Sequence, residues 1–529
     1  MANGAAPPAR EYTEYSRATR LVIMIALMLG AIMQVIDTSI VNVAIPQMMG
    51  NLGATLDQIG WVSTGYLIAM VIVLPLTGWL SALFGRKRYL AYSMISFTIA
   101  SVLCGISRTL GQLVLFRIFQ GIGGAALIST AQATMMEIFP PQQLGMVQAI
   151  YGIGIMVGPT IGPTLGGWLT DNYSWPWIFF INLPIGTLAA ILTFLFVHDS
   201  EHKRANVGVD LTGIMLLAIG LGSLQVVLEK GNREDWFASP FIVWMSVAAV
   251  MGIVGFVLWE LRTPHPAVNL RVLRDRGFSA GAIFAVVLGF GLFGGIFILP
   301  VFLQQLQHFT ALQTGMMMLP GAISTAIVMP FAGKLVSHFP ARNLVALGAI
   351  AFVVSSFLLS KLTMDTGYSQ MFWPLVLRGA AMGFLFVPLT LATLIGLKGK
   401  DLADGTGLFN LARTVGGSAG IAVLSTLLDR RMAFHRAILV EHVNLYNPAT
   451  IIRLRTLEAG FLAKGSSLPV ARQQALAIVD RIVQGQAAVL SYADVFYLIA
   501  IFFVCALPLL LLFKKGRSIP SGRPGPVAE

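Results

Sequence analysis

The sequence presents run after run of about twenty apolar residues, divided by short polar stretches. A bilayer hydrocarbon core is crossed by about 20 such residues in a helix. Hydrocarbon offers no partner for backbone amides, so each run must satisfy its own hydrogen bonds as an α-helix. The runs predict fourteen spans, at 21–45, 59–81, 89–107, 111–137, 144–169, 176–197, 211–228, 238–260, 279–303, 314–337, 343–361, 371–396, 407–428 and 491–513. Only 11% of the residues are charged, against about 25% in soluble domains. The fold class expected is therefore an all-α polytopic membrane protein.

The basic residues set the expected orientation. With the N-terminus in the cytoplasm, twenty Lys and Arg fall in the even-numbered gaps and both tails, among them Arg86, Lys87, Arg88, Arg271, Arg274 and Lys514. The short external loops hold four: Arg108, Lys230, Arg233 and Lys361. This bias places both termini in the cytoplasm and makes the number of spans even. It also accounts for the net charge of +12 without any nucleic-acid partner. Residues 1–20 show no signal-peptide cleavage pattern before the first span, so an uncleaved membrane helix is expected there, and Cys104 and Cys505 both lie in apolar runs, which argues against a structural disulfide.

A weak internal repeat recurs at an offset of roughly 255 residues. Pro75-Leu-Thr-Gly78-Trp-Leu80 returns as Pro330-Phe-Ala-Gly333-Lys-Leu335, and Leu113-Val-Leu-Phe-Arg117 as Leu375-Val-Leu-Arg378. The expected organisation is a tail (1–20), a six-helix half (21–198), two inserted spans with their loops (199–278), a second six-helix half (279–513) containing a long external loop (429–490), and a tail (514–529). Parallel halves of this kind hold substrate near the midplane between them, so the repeat by itself argues for transport.

Asp37 lies deep in the first span. A carboxylate there costs a few kcal/mol unless it faces the bundle interior or water. Burial disfavours the charged form and suits such a group to taking and releasing protons; the competing reading is a carboxylate that merely pairs with an arginine to hold helices together. Gly30, Met33 and Gln34 share its helical face. The repeat places Gly291 opposite Asp37, so the acid belongs to one half only. Arg117 opens the stripe Arg117, Gln120, Gly121, Gly124 in span 4, and it either tunes the proton site or acts as a hydrogen-bond hub; for Arg378 the structural reading is favoured. Candidate substrate contacts are Met33, Gln34, Asn42, Gln120, Asn410 and Arg413. Span 5 carries Gly154, Gly158, Pro159, Gly162, Pro163 and Gly166, an array expected to form a deformable, tightly packed seam between the halves. The loop after span 2, with Gly78, Gly85, Arg86 and Lys87, reads as a positive-inside anchor or a gate. The segment 429–490 reads as a solvated loop with short helices or as a docking element. There is no phosphate-binding loop, so ATP is not the driver, and no clustered Cys/His set, so no cofactor or metal is expected.

Together these residues resemble the major facilitator superfamily, and within it the fourteen-span drug/proton antiporter branch, the EmrB/QacA subfamily. Val35-Ile-Asp37-Thr-Ser-Ile-Val-Asn42-Val-Ala-Ile-Pro46 is similar to that branch's first-span motif, Arg117-Ile-Phe-Gln120-Gly121 to the superfamily's span-4 motif, the span-5 array to its antiporter motif, and Trp175-Pro-Trp-Ile-Phe-Phe-Ile-Asn182-Leu-Pro184-Ile-Gly186 to the branch's entry into span 6. Ala82 departs from the family, which has an acid at that loop position, and this weakens a charge-based latch there. The resemblance implies a major facilitator fold and an inner-membrane antiporter that exports hydrophobic or amphiphilic drugs in exchange for protons and confers antibiotic resistance. For EmrB-like members it also implies a periplasmic adaptor and an outer-membrane channel. The alternatives are export of an endogenous lipid, fatty acid or siderophore, and a non-transporting receptor or scaffold.

Overall fold

A computed structural model describes residues 15–198, 208–364, 366–444 and 446–513; most of both expected tails, 1–14 and 514–529, lies outside these. The first half comprises α1 (Arg17–Leu52), α2 (Leu56–Phe84), α3 (Arg86–Gly105), α4 (Leu110–Ile138), α5 (Pro141–Asn172) and α6 (Trp177–Phe196). The inserted pair is α7 (Leu211–Lys230) and α8 (Pro240–Arg262). The second half comprises α9 (Arg276–Leu306), α10 (Ala311–Leu335), α11 (Ala341–Leu359), α12 (Tyr368–Leu394), α13 (Gly399–Glu441), a shorter α14 (Pro448–Ala463) and α15 (Leu468–Leu512).

Local sequence sets the boundaries. Gly85 takes φ +83°, which turns the chain sharply from α2 into α3. Thr310 and Gln313 form a capping box at the start of α10, and Asp275 caps α9 through the amides of Gly277 and Phe278. Twelve of the described helices are long and apolar enough to cross a bilayer, and α5, bent by 44° at Pro159, makes a thirteenth. The bend follows from the proline's missing N–H and its ring. Helix α3 has the length of a span, 20 residues, but opens on Arg86-Lys87-Arg88, which lowers its hydropathy; the fourteen-span count rests on it.

The two halves repeat one packing pattern. In the first, α1 packs on α5, α2 on α4, α3 on α4 and α6, and α1 on α6; in the second, α9 packs on α13, α10 on α12, α11 on α12 and α15, and α9 on α15. The halves meet through α2 against α13 and α5 against α10. The repeat predicted this symmetry, and Gly78 and Gly333 sit at its equivalent crossings. Helix α7 lies in the angle between α2 and α13, where Gln225 donates to Ser418 at 2.9 Å and Trp236 to Thr426 at 2.9 Å.

The segment 429–490 is mostly helix rather than a loop with short helical patches. Helix α13 runs on through Glu441, α15 begins at Leu468, and α14 connects them. Ion pairs join the two long helices, Arg431 to Asp494 at 3.3 Å and Arg436 to Asp480 at 3.0 Å, and the His435 imidazole shares a hydrogen bond with Asp494 at 2.8 Å.

Candidate functional site: a buried ion pair in the first half

Asp37 is 1% exposed, and every oxygen of its carboxylate has a donor. Arg117 Nη1 on α4 donates to Oδ2 at 2.5 Å. Gln120 Nε2, one turn along α4, donates to Oδ1 at 2.8 Å, and Asn182 Nδ2 on α6 donates to the same oxygen at 3.0 Å. The i, i+3 spacing of Arg117 and Gln120 puts both on the α4 face toward α1. On the side of α4 toward α2 a glycine permits close packing: a Cβ at Gly121 would lie 2.4 Å from the carbonyl oxygen of Tyr66. The carboxylate thus ties three helices of one half together.

Arg117 has partners beyond Asp37. Its Nε donates to the Val62 carbonyl at 3.2 Å, its Nη1 to Gln120 Oε1 at 2.8 Å, and its guanidinium lies 4.1 Å from the centre of the Tyr66 ring. Removing one member of a buried pair costs about 3–5 kcal/mol, because the other is left uncompensated. Here the arginine would keep a carbonyl, an amide oxygen and an aromatic face. Protonation of Asp37 would therefore remove its charge without stranding the arginine.

The other predicted contacts are distributed unevenly. Gln34 borders the site: its Nε2 donates to the Tyr66 hydroxyl at 3.1 Å, against the ring that carries Arg117. Met33 is packed in the core beside Gly186. Asn42 is exposed, nearer the end of α1, beside Ser63. Asn410 and Arg413 lie elsewhere, where α13 meets the first half. Asn410 Nδ2 donates to Gln132 Oε1 of α4 at 2.9 Å, and Gln132 Nε2 to Gln148 Oε1 of α5 at 3.3 Å, a chain of amides crossing between the halves. Arg413 Nη1 has no acceptor, and its guanidinium stands 5.5 Å from the Phe386 ring. Asn182, its acceptor Ser101 (2.9 Å) and Tyr66 carry no role in the sequence reading. Asn182 entered that reading only as one letter of the span-6 entry motif.

The glycine array of α5 requires a correction. Gly154, Gly158, Gly162 and Gly166 face Ile32, Val35, Ser39 and Ile40 of α1, inside the first half rather than between the halves. Their four-residue spacing, interrupted by Pro159 and Pro163, follows one side of the helix, and that side is occupied by α1. The contacts between halves come from other positions: Gly145 against Gly333, Gly152 against Met329 and Phe386, and Thr164 against Gly315. In the loop after α2, Arg86 pairs with Glu137 at the end of α4, and Lys87 lies 5.1 Å from the Phe194 ring, both within the first half. Gly78 instead meets α13, where a Cβ would collide with Asp404. An acid therefore does stand at this loop, supplied by the opposite half where the loop itself has Ala82. An apolar groove of about 840 Å³ between α10 and α12, with Met316, Met317 and Phe372 in its wall, is separate from Asp37.

Comparison with known proteins agrees with this architecture. A family model described as Major Facilitator Superfamily matches residues 27–421. The chain is 36% identical over 498 residues to multidrug export protein EmrB of Escherichia coli (strain K12), covering 94% of this chain and 96% of that one. It is 32% identical over 505 residues to fatty acid resistance protein FarB of Neisseria gonorrhoeae, covering 95% and 98%. Among solved structures, the human organic anion transporter MFSD10 superposes with TM-score 0.57 at 13% identity over 92% of this chain and 99% of that one, a likeness of fold.

Proposed function

The chain belongs to the major facilitator superfamily, and we propose that it is a proton-coupled exporter of hydrophobic or amphiphilic drugs, with Asp37 as the coupling acid. The observation that carries this reading is a fully buried carboxylate held by Arg117, Gln120 and Asn182 in one half, with Gly291 at the corresponding place in the other. The full-length similarity to a multidrug export protein supports drugs as the cargo. In this mechanism a proton reaching Asp37 weakens its bond to Arg117 and loosens α1 from α4 and α6, which biases the halves toward one facing state. Substrate bound between the halves, where Asn410 and Arg413 leave polar atoms unpartnered, biases them toward the other.

The termini face the cytoplasm in this reading, by the distribution of basic residues. The helical extensions around 429–490 then stand outside, where they are the part of the chain placed to meet a periplasmic adaptor and, through it, an outer-membrane channel. A second reading, export of a fatty acid, draws support from the similarity to FarB.

The test is transport in proteoliposomes with an imposed pH gradient, using a drug panel and a fatty acid. Asp37→Asn keeps the acceptor oxygen and is expected to fold but to lose gradient-driven export. Wild-type export by this variant would remove Asp37 from the coupling. Deleting 442–467, which spares both long helices, is expected to leave export in proteoliposomes intact; its loss there would favour a scaffold role over autonomous transport.

A further inference from the structure

A pair of buried acids separate from Asp37 lies on the inserted helices, Asp210 at the start of α7 and Glu260 near the end of α8. Asp210 caps α7: its Oδ1 accepts from Gly213 N at 2.8 Å and from the indole Nε1 of Trp259, on α8, at 2.9 Å. Glu260, in the last turns of α8, accepts from Val268 N through Oε1 at 3.3 Å. Both side chains are more than nine-tenths buried, at 8% and 3% exposure, and Asp210 Oδ2 and Glu260 Oε2 have no hydrogen-bond partner. The carboxyl groups face each other across Gly213, where a Cβ would lie 2.5 Å from Asp210 Oδ2 and 2.9 Å from Glu260 Oε1.

Arg262, His265, Arg271 and Arg274 are exposed, and among the described residues none forms an ion pair with either acid. Asp404 of α13 adds a third negative group on this side and acts on Glu260 electrostatically. Two carboxylates this close, buried and with no ion pair to either among the described residues, cannot both stay ionised. The proton is assigned to Glu260, whose carboxyl accepts one N–H where that of Asp210 accepts two.

We propose that Asp210 and Glu260 hold one proton between them, a protonation site separate from Asp37 that fastens the inserted pair to both halves. The position gives the proton a mechanical role. Val71 and Leu76 of α2 form one apolar cluster with Leu217, Leu221, Phe256 and Val268, and Leu408 and Leu411 of α13 pack on it. Trp79 of α2 also donates to the Gly208 carbonyl at 3.3 Å. Loss of the proton sets two like charges against each other at the point where α7 and α8 grip the crossing of α2 and α13, beside Gly78 and Asp404.

The experiment uses the full-length protein in lipid nanodiscs. Infrared spectra of wild type at neutral pH are expected to show a carboxylic-acid carbonyl band that disappears in Glu260→Gln and persists in Asp37→Asn. In Asp210→Asn the band should disappear at lower pH than in wild type, because Glu260 then ionises without facing a second negative charge. The folded state binds a proton that the unfolded chain releases, so the wild-type melting temperature should fall as pH rises through this titration, whereas that of Glu260→Gln should not. A wild-type band unchanged in both Glu260→Gln and Asp210→Asn, or parallel melting profiles, overturns the proposal. Neither readout involves transport, so the result is independent of whether Asp37 couples export.

Discussion

The contact between Gly145 of α5 and Gly333 of α10 offers the sharpest test of how the halves move. A Cβ on Gly145 would lie 2.1 Å from the Gly333 carbonyl oxygen, and a Cβ on Gly333 would lie 2.4 Å from that of Gly145. Ordinary van der Waals contact begins near 3.4 Å, and both obstacles are backbone rather than flexible side chain. Gly145→Ala must therefore push the helices apart by about 1 Å or more at this point, an overpacking that costs about 1–3 kcal/mol. Only the arrangement in which these ends touch bears the cost. If the halves part here in the other facing state, the equilibrium shifts toward that state by about 5- to 150-fold. Nitroxide labels at Gln142 and His338, both exposed near the contact, would report the shift as a longer-distance population in pulsed electron resonance. Cys505 is exposed and must first be replaced, whereas Cys104 is buried. Gly111→Ala, with no atom within 4 Å of the new carbon, should leave the distances unchanged. An unaltered distance distribution in Gly145→Ala, with normal folding, would refute the reasoning that this crossing separates during the cycle.

Two further outcomes are expected. Arg117→Met leaves Asp37 buried with amide donors alone and should lower stability by about 3–5 kcal/mol, read as a loss of melting temperature; adding Asp37→Asn should restore most of it, since no buried charge then remains. Gly162→Ala places a carbon 1.9 Å from Ser39 Oγ and should cost about 1–3 kcal/mol, and Ser39→Ala should relieve part of it by removing that oxygen; equal stability of Gly162→Ala with and without Ser39→Ala would show that α1 and α5 do not meet there.

How much of this was legible depended on what each residue type costs in hydrocarbon. The spans were readable because backbone groups leave a membrane segment no alternative to helix, and Asp37 and Arg117 because a buried charge must find a partner. Asn182 was not, since a neutral amide costs less and stands out less among apolar neighbours. The glycines of α5 announced a close approach but not with whom: periodicity defines a helical face, and only the tertiary arrangement assigns α1 to it. In 429–490 the sequence lacks a continuous apolar stripe, so nothing in it distinguishes a loop from helices held by ion pairs such as Arg436 with Asp480. The cluster of Asp210, Glu260 and Asp404 was equally hidden, because three acids at the ends of separate helices look solvated until the fold buries them.

The asymmetry between the halves was visible as Gly291 opposite Asp37, and the structure gives it a physical content. A Cβ at Gly291 would collide with the Phe503 ring and approach that of Phe352. Arg378, the repeat partner of Arg117, lies against Gly295 with its guanidinium 5.9 Å from the centre of the Phe352 ring, and no ion pair to it occurs among the described residues. The second half thus holds its arginine on an aromatic face, an interaction of about 0.5–2 kcal/mol that no proton alters. The first half holds its arginine partly on a carboxylate, which a proton does alter. Duplicated helices with unequal arginine partners would respond unequally to a proton, and under the proposed coupling through Asp37 that response starts where α1, α4 and α6 meet.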